Sequence, residues 1–161
     1  MKEKQRNINL ISTKFNRPPV AGDIYPVNRL LETIDESRNL PFFLISAPAG
    51  YGKRTLANRW LATCGTLPNA WLSLDEQDND PHTFLTYFLA TIQSVFPKAG
   101  QETLELLKSV NLPPFPIFSQ SIINTLNELN QDFIMVLDDY HFIRNKEIHD
   151  LITKILIHPP N

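Results

Sequence analysis

The chain has 161 residues, of which 42% are hydrophobic and 20% are charged, and its formal net charge is −2. This composition is typical of one soluble globular domain, and the charge gives no general attraction to nucleic acid or to an anionic membrane. The single cysteine, Cys64, excludes an intramolecular disulfide. We therefore expect a cytoplasmic protein that makes no direct contact with DNA or with a membrane.

The residues before position 41 form two predicted segments. Residues 1–11 are polar and mixed in charge, which predicts a flexible tail. Residues 12–40 contain two stretches interrupted by proline or glycine, and then apolar residues at helical spacing. This pattern predicts an extended segment followed by a helix that begins near Pro26. Residues 41–161 hold the other predicted elements without a dividing linker, so a single domain over residues 1–161 is expected.

A short apolar run at residues 42–46, a glycine-rich turn and a helical pattern follow one another. The run predicts a buried strand, and the order is that of a phosphate-binding P-loop. Gly50 and Gly52 permit the dihedral angles that let backbone N–H groups converge on phosphate, and Lys53 adds a positive charge at a helix N-terminus. The alternative is a glycine-rich turn without a ligand. The predicted nucleotide-binding residues of the loop are Ala47, Pro48, Ala49, Gly50, Tyr51, Gly52, Lys53, Arg54 and Thr55.

Two positions depart from the general P-loop pattern G-x-x-x-x-G-K-[ST]. Ala47 stands in place of the first glycine, which is a mild change because alanine is the next smallest residue. Arg54 stands in place of the Ser or Thr whose hydroxyl binds Mg²⁺. Thr55 offers a hydroxyl one position later, about 100° further around the helix. The loop therefore favours ATP or ADP as ligand and argues against a well-held Mg²⁺, so at most weak ATPase activity is expected.

The next apolar run, residues 70–74, predicts a second strand that ends in the acidic turn 75–80. Asp80 followed by Pro81 predicts the N-cap and first residue of a third helix. A metal site is the alternative for the clustered acids, but adjacent side chains in a turn point apart. Further helical patterns at residues 104–110 and 122–130 flank a stiff proline-rich connector at 112–116.

A fully apolar run at residues 133–137 predicts a strand that delivers Asp138 and Asp139 at its carboxyl end, before a last amphipathic helix. Alternating strands and helices favour an α/β fold, a parallel sheet with helices on both faces and ligands outside the carboxyl ends of the strands. P-loop proteins hold Mg²⁺ with an Asp at such a strand end, and a second carboxylate can orient the attacking water. The alternative is a solvated loop in which Asp139 caps the following helix.

Several blocks of the sequence together resemble the large ATP-binding LuxR-type regulators, the group of the maltose-regulon activator within the STAND class of signalling ATPases. The resemblance implies a three-layer, RecA-like P-loop fold that binds ATP and self-associates. In that family a separate C-terminal helix-turn-helix binds promoter DNA. The blocks that carry the resemblance are residues 13–14, 17–19, 29–31, 46–53, 71–76, 78–81 and 136–141.

The resemblance also implies a role for each site residue. Lys53 is similar to the phosphate-binding lysine, Asp138 to the acid on the Mg²⁺ side, and Asp139 to the acid that orients water. The segment before Arg29 resembles the wall that packs on adenine, which places Arg29 among the nucleotide-binding residues. Residues 12–40 would thus form the adenine side, and residues 41–161 the core from the P-loop to the two acids.

In the family, a further strand inserts between the P-loop strand and the Asp-Asp strand, and inducer-binding and DNA-binding parts follow. The sequence ends before these elements, so an incomplete sheet and a truncated member of the family are expected. Two other functions stay open at this stage, namely a free-standing phosphoryl-transfer enzyme such as a small kinase, and a truncated remnant that binds nothing. The sequence identifies neither an inducer nor target genes.

Overall fold

The computed structural model describes residues 10–19, 28–36 and 38–159. Residues 1–9 of the predicted tail lie outside the described residues, and so does Pro26. The chain divides into two compact units. The small unit is Arg17–Leu67, and the large unit combines the residues before Arg17 with those from Pro68 onward. The chain therefore passes between the units twice, after Asn16 and after Leu67.

The large unit contains a two-stranded parallel sheet. β1 (Asn69–Ser73) pairs with β2 (Ile134–Asp138), with Ser73 opposite Asp138 at the carboxyl end. Both predicted strands are confirmed, each displaced by one residue from the predicted bounds. Parallel neighbours need a long crossover, and the 60 residues that join these strands form helices and turns. The fold is thus mixed α/β, and the parallel pairing of β1 with β2 brings the carboxyl ends of both strands to the same edge of the sheet.

The described residues of this unit form four α-helices, namely α3 (Pro81–Val95), α4 (Gln101–Lys108), α5 (Phe115–Asn127) and α6 (Lys146–Ile157). α3 packs on β1, and α4, α5 and α6 pack on α3, because their apolar faces need burial. α5 begins two residues earlier than a 112–116 connector allows, since proline is well tolerated in the first helical turn. The fully buried side chains of this core are Leu72, Phe84, Leu85, Leu89, Ile92, Phe118, Ile122, Ile148 and Leu151.

The small unit contains α1 (Asn28–Glu36) and α2 (Lys53–Thr63). α2 begins where the P-loop pattern places a helix, and it stops before Gly65, whose φ of +64° suits a helix end. Cys64 is buried at this end, and its thiol donates to the Trp60 carbonyl at 3.3 Å. Burial raises the pKa of this thiol, so the residue packs as an unreactive thiol. No helix within the described ranges is long and apolar enough to cross a membrane.

The predicted buried strand at residues 42–46 is wrong. These residues form neither a strand nor a helix, and Phe42 and Leu44 are 50% and 76% exposed. Only the opposite side of the segment packs, with the Phe43 ring 5.6 Å from the ring of Trp60. A strand exists only where a neighbour pairs its backbone groups, and here β1 and β2 pair with each other instead. The predicted three-layer arrangement therefore stays a prediction.

We expect the chain to self-associate, because an exposed apolar segment with strand-forming sequence invites intermolecular pairing. Multi-angle light scattering should give at least twice the chain mass at micromolar concentration. Leu44→Lys should shift the chain toward the monomer, because charge on an edge opposes pairing. The matched control is Ile157→Lys, which changes an exposed apolar residue in α6. A compact monomer of the unaltered chain, with cooperative unfolding, would contradict this expectation.

Candidate nucleotide site

The turn before α2 has the backbone of an anion-binding loop. Gly50 has φ of +84° and Gly52 has φ of +73°, both in the region that favours glycine. A Cβ atom at either position would meet nothing within 4 Å. Glycine is therefore favoured at these two positions because of the positive φ angle, and not because a side chain would collide with its neighbours. Gly52 is the N-cap of α2 and has no side chain that could cap the first-turn N–H groups. Helix starts of this kind are typical anion-binding positions.

Lys53 is the first residue of α2 and reaches back over the turn. Its Nζ donates to the carbonyl oxygens of Ala47 at 2.7 Å and Pro48 at 3.1 Å. The turn is closed further by the Tyr51 N–H, which donates to the Pro48 carbonyl at 3.4 Å. The first turn of α2 carries no acidic residue. The ammonium and the positive end of the helix dipole therefore add their potential at one place.

The remaining loop residues differ in exposure. Arg54 is exposed, whereas Thr55 is half-buried on the next position of α2. Arg29 lies in α1 with an exposed side chain, and its carbonyl accepts a hydrogen bond from the Thr33 hydroxyl at 2.9 Å. The guanidinium of Arg54 therefore stands at the helix start where the general pattern requires a hydroxyl.

Asp138 and Asp139 lie at the carboxyl end of β2. The Asp138 carbonyl accepts the Leu74 N–H at 3.0 Å, which ties the end of β2 to the residue that follows β1. Asp139 has φ of +57° and is the only described non-glycine residue with positive φ, a conformation that aspartate tolerates. Its carboxylate lies 3.8 Å from Nδ1 of His141.

A hydrogen bond holds the turn after Asp139 in place. Tyr140 begins a short 3₁₀ turn (Tyr140–Phe142), and its hydroxyl lies 2.9 Å from Nδ1 of His149 in α6. The two rings also contact edge to face at 5.5 Å. Burial raises the pKa of the Tyr140 hydroxyl, so it stays protonated and able to donate. Sequence reasoning missed this pair, because the two residues are nine positions apart and no local pattern links them.

The structure groups the predicted site residues into two sets. Residues 47–55 and Arg29 belong to the small unit, and Asp138 and Asp139 belong to the large unit. Each set is assembled locally, by a helix start in one case and a strand end in the other. One shared site built from both sets stays a prediction.

The acidic turn 75–80 is a structural junction. The Asp75 carboxylate accepts the Gln77 N–H at 2.8 Å, and Asp80 accepts the Thr83 N–H at 2.8 Å and so caps α3. Asn79 Oδ1 accepts two backbone N–H groups, from Arg144 at 2.7 Å and from Asn145 at 2.8 Å. The turns that follow β1 and β2 are therefore joined. Capping was the favoured interpretation of Asp80, and it is confirmed.

Lys14 occupies the space between two carboxylates of this turn. Its Nζ lies 2.6 Å from Oδ2 of Asp78 and 2.8 Å from Oδ2 of Asp75. Lys14 and Asp78 are both buried. No group of three or more His, Cys, Asp or Glu in the described part of the chain is arranged to hold a metal ion. The charge that a metal would bring to the acidic turn comes instead from a lysine ammonium.

The ion pair between Lys14 and Asp75 shifts the pKa values of these two residues. Burial lowers the pKa of Lys14, but hydrogen bonds and attraction from Asp75 and Asp78 outweigh burial and hold the net pKa above 10.5. Burial raises the pKa of Asp75, but the Lys14 ammonium and the Gln77 N–H outweigh it and hold the net pKa below 3.8. The stabilisation is therefore complete between these two values. It is lost as pH rises through the raised pKa or falls through the lowered one.

We expect Lys14→Met to lower the free energy of unfolding by about 3 kcal/mol at pH 7, because Asp78 stays buried without its counter-charge. The difference from the unaltered chain should shrink below pH 3.8 and above pH 10.5. Urea unfolding across this pH range measures it, with the exposed Lys154→Met as control. An equal loss of stability for both variants at pH 7 would show that the buried pair has no special role.

These features define the class of protein, which is a mixed α/β protein with a P-loop-type turn at a helix start and a pair of acids at a strand end. Several proteins to which the chain is similar are named as transcriptional regulators. The chain is 32% identical over 151 residues to a protein named HTH-type transcriptional regulator MalT from Serratia proteamaculans. It is 34% identical over 154 residues to the protein of that name from Klebsiella pneumoniae, and 36% identical over 154 residues to that from Yersinia pestis.

Each of these matches covers 94% of the chain but only 16% of the relative. No family model matches the chain. The predicted resemblance to the N-terminal region of a MalT-like regulator is confirmed, because the relatives carry the name HTH-type transcriptional regulator MalT. The chain is thus similar to one part of a much longer regulator.

Proposed function

We propose that the chain is the ATP-binding regulatory module of a LuxR/MalT-type transcriptional activator, and that it binds nucleotide through residues 47–55. The DNA-reading and inducer-binding activities of such a regulator would belong to other regions. The similarity to MalT regulators over 94% of the chain supports the regulatory part of this proposal. The loop geometry supports the nucleotide-binding part.

The observation that carries the proposal is the arrangement at the start of α2. Two glycines at positive φ, an N-cap without a capping side chain and a lysine ammonium converge on one turn. Lys53 now donates to two carbonyl oxygens of that turn. A phosphate chain would replace these acceptors after a rotation of the side chain alone. This donor set fits the β- and γ-phosphates of ATP.

The residues fit a resident Mg²⁺ poorly. The position next to Lys53 carries a guanidinium, which offers only donors and a positive charge. The carboxylates of Asp138 and Asp139 at the end of β2 are the remaining candidate ligands. We therefore propose nucleotide binding with little dependence on Mg²⁺, and no efficient hydrolysis.

Isothermal titration with ATP and ADP, each with and without Mg²⁺, tests this function. We expect saturable binding of about one nucleotide per chain, with similar affinity in both conditions. Inorganic phosphate at the same concentration is the control for non-specific anion binding. An absence of binding by ATP and ADP would overturn the proposal. It would favour the structural alternative of a glycine-rich turn without a ligand.

A further inference from the structure

The turn that joins β2 to α6, residues 139–144, starts with a backbone conformation that needs support. Asp139 has φ of +57°, in the left-handed region. Aspartate tolerates this region better than most residues, but the conformation still costs free energy and persists only where the surrounding structure enforces it. The hydrogen bonds of the turn and of its two ends must therefore supply this support.

Hydrogen bonds inside the turn give it its local shape. The Phe142 N–H donates to the Asp139 carbonyl at 3.1 Å, and the Ile143 N–H donates to the Tyr140 carbonyl at 3.0 Å. The Tyr140 hydroxyl, 2.9 Å from Nδ1 of His149, ties the turn to α6, the element that follows it. These bonds survive if the turn and α6 move together. The attachments to other elements therefore decide where the turn lies.

Both ends of the turn are attached to the segment that follows β1. At the start, the Asp138 carbonyl accepts the Leu74 N–H at 3.0 Å. At the far end, Asn79 Oδ1 accepts the N–H groups of Arg144 at 2.7 Å and Asn145 at 2.8 Å. Asn145 is the N-cap of α6, so Asn79 also fixes where that helix begins. The turn is thus closed at both ends, and the side chain of Asn79 closes the second end.

Asn79 acts from a fixed base, because both of its neighbours in the acidic turn are themselves held. Asp78 is buried and lies 2.6 Å from the ammonium of Lys14. Asp80 caps α3 by accepting the Thr83 N–H at 2.8 Å. Asn79 is half-buried between them. Its amide oxygen accepts two N–H groups without adding a further negative charge beside these carboxylates.

We propose that Asn79 is a positioning residue for Asp139. By closing the far end of the turn it holds Asp139 in the left-handed conformation, and so fixes where the Asp139 carboxylate lies at the end of β2. Without this attachment the far end is released, and Asp139 can return to a negative φ. The residues involved all belong to the large unit. The predicted action of Asp139 on water rests on the proposed function, whereas its positioning by Asn79 needs no nucleotide.

NMR spectroscopy of the isotope-labelled 161-residue chain without nucleotide tests the proposal, because the one-bond coupling between Cα and Hα of Asp139 depends on the sign of φ. Asn79→Leu keeps a similar side-chain volume and removes the acceptor. We expect the coupling to move toward the value for negative φ. Amide exchange at Phe142 and Ile143 should become at least about tenfold faster, the effect of losing one or two hydrogen bonds.

Two further variants separate positioning from a general loss of stability. Asn79→Asp keeps an oxygen acceptor, so the Asp139 coupling and the slow exchange at Phe142 and Ile143 should be retained. Asn127→Leu is the matched control, since it alters an exposed asparagine in α5, and it should change neither measurement.

An unchanged Asp139 coupling in Asn79→Leu, with faster exchange only at Arg144 and Asn145, would overturn the proposal. Asn79 would then satisfy two backbone groups and do no more. An equal change of the coupling in Asn127→Leu would overturn it as well. If Asn79→Leu does not fold, Asn79→Ala decides by the same two measurements, because the smaller side chain lets water reach the released N–H groups.

Discussion

Lys53→Ala is expected to abolish nucleotide binding while the fold persists. The side chain supplies a positive charge at the start of α2, where the helix dipole also favours an anion. Charge-assisted hydrogen bonds of this kind contribute about 1.5–3 kcal/mol each, so we expect ATP affinity to fall at least about 100-fold. Titration calorimetry measures the affinity, and circular dichroism reports whether the helices remain.

The alanine variant also removes two hydrogen bonds to the loop carbonyls. Lys53→Met loses the same two hydrogen bonds and the charge but keeps the apolar stem of the side chain. A similar loss of ATP affinity in both variants would therefore assign the effect to the ammonium group and not to packing of the stem. Lys154→Ala is the matched control, since it removes an exposed lysine near the end of α6. Unchanged ATP affinity in Lys53→Ala would contradict the interpretation of residues 47–55 as a P-loop.

Elements with strong local signals were predicted well from the sequence. The start of α2 follows from a glycine-lysine step, and the start of α3 follows from Asp80 and Pro81. The apolar runs that became β1 and β2 are bounded by turn-forming residues and short enough to exclude helices. Each of these signals is contained within a few neighbouring residues.

Features that depend on distant partners were not predicted. The run at 42–46 has the composition of a strand, but pairing requires a second strand and the structure pairs β1 with β2 instead. Lys14 is buried only because Asp78, 64 residues later, receives its charge. Lysine is rarely buried, so no local sequence pattern predicts a buried pair of this kind. The sequence also predicted the P-loop residues and the two acids as site residues, and their role stays a prediction that the titrations above test.

Arg54→Thr is expected to make nucleotide binding dependent on Mg²⁺. In the chain as it stands, a guanidinium lies beside Lys53, where it can bind phosphate oxygens but cannot ligate a metal. Two cationic side chains at the helix start also repel Mg²⁺. Threonine removes one charge and supplies the hydroxyl. ATP affinity should then rise at least about tenfold when Mg²⁺ is added, a gain of about 1.4 kcal/mol.

The matched variant Arg54→Met tells the two effects apart, because it removes the charge without adding a metal ligand. We expect it to lose affinity for ATP and to gain no Mg²⁺ dependence. Phosphate release should stay at background in the unaltered chain and in Arg54→Met, and rise partly in Arg54→Thr, where Asp139 would orient the water. Strong Mg²⁺-dependent hydrolysis by the unaltered chain would show that Thr55 supplies the hydroxyl. In that case Thr55→Val should abolish turnover, and Arg54 would act as a phosphate ligand alone.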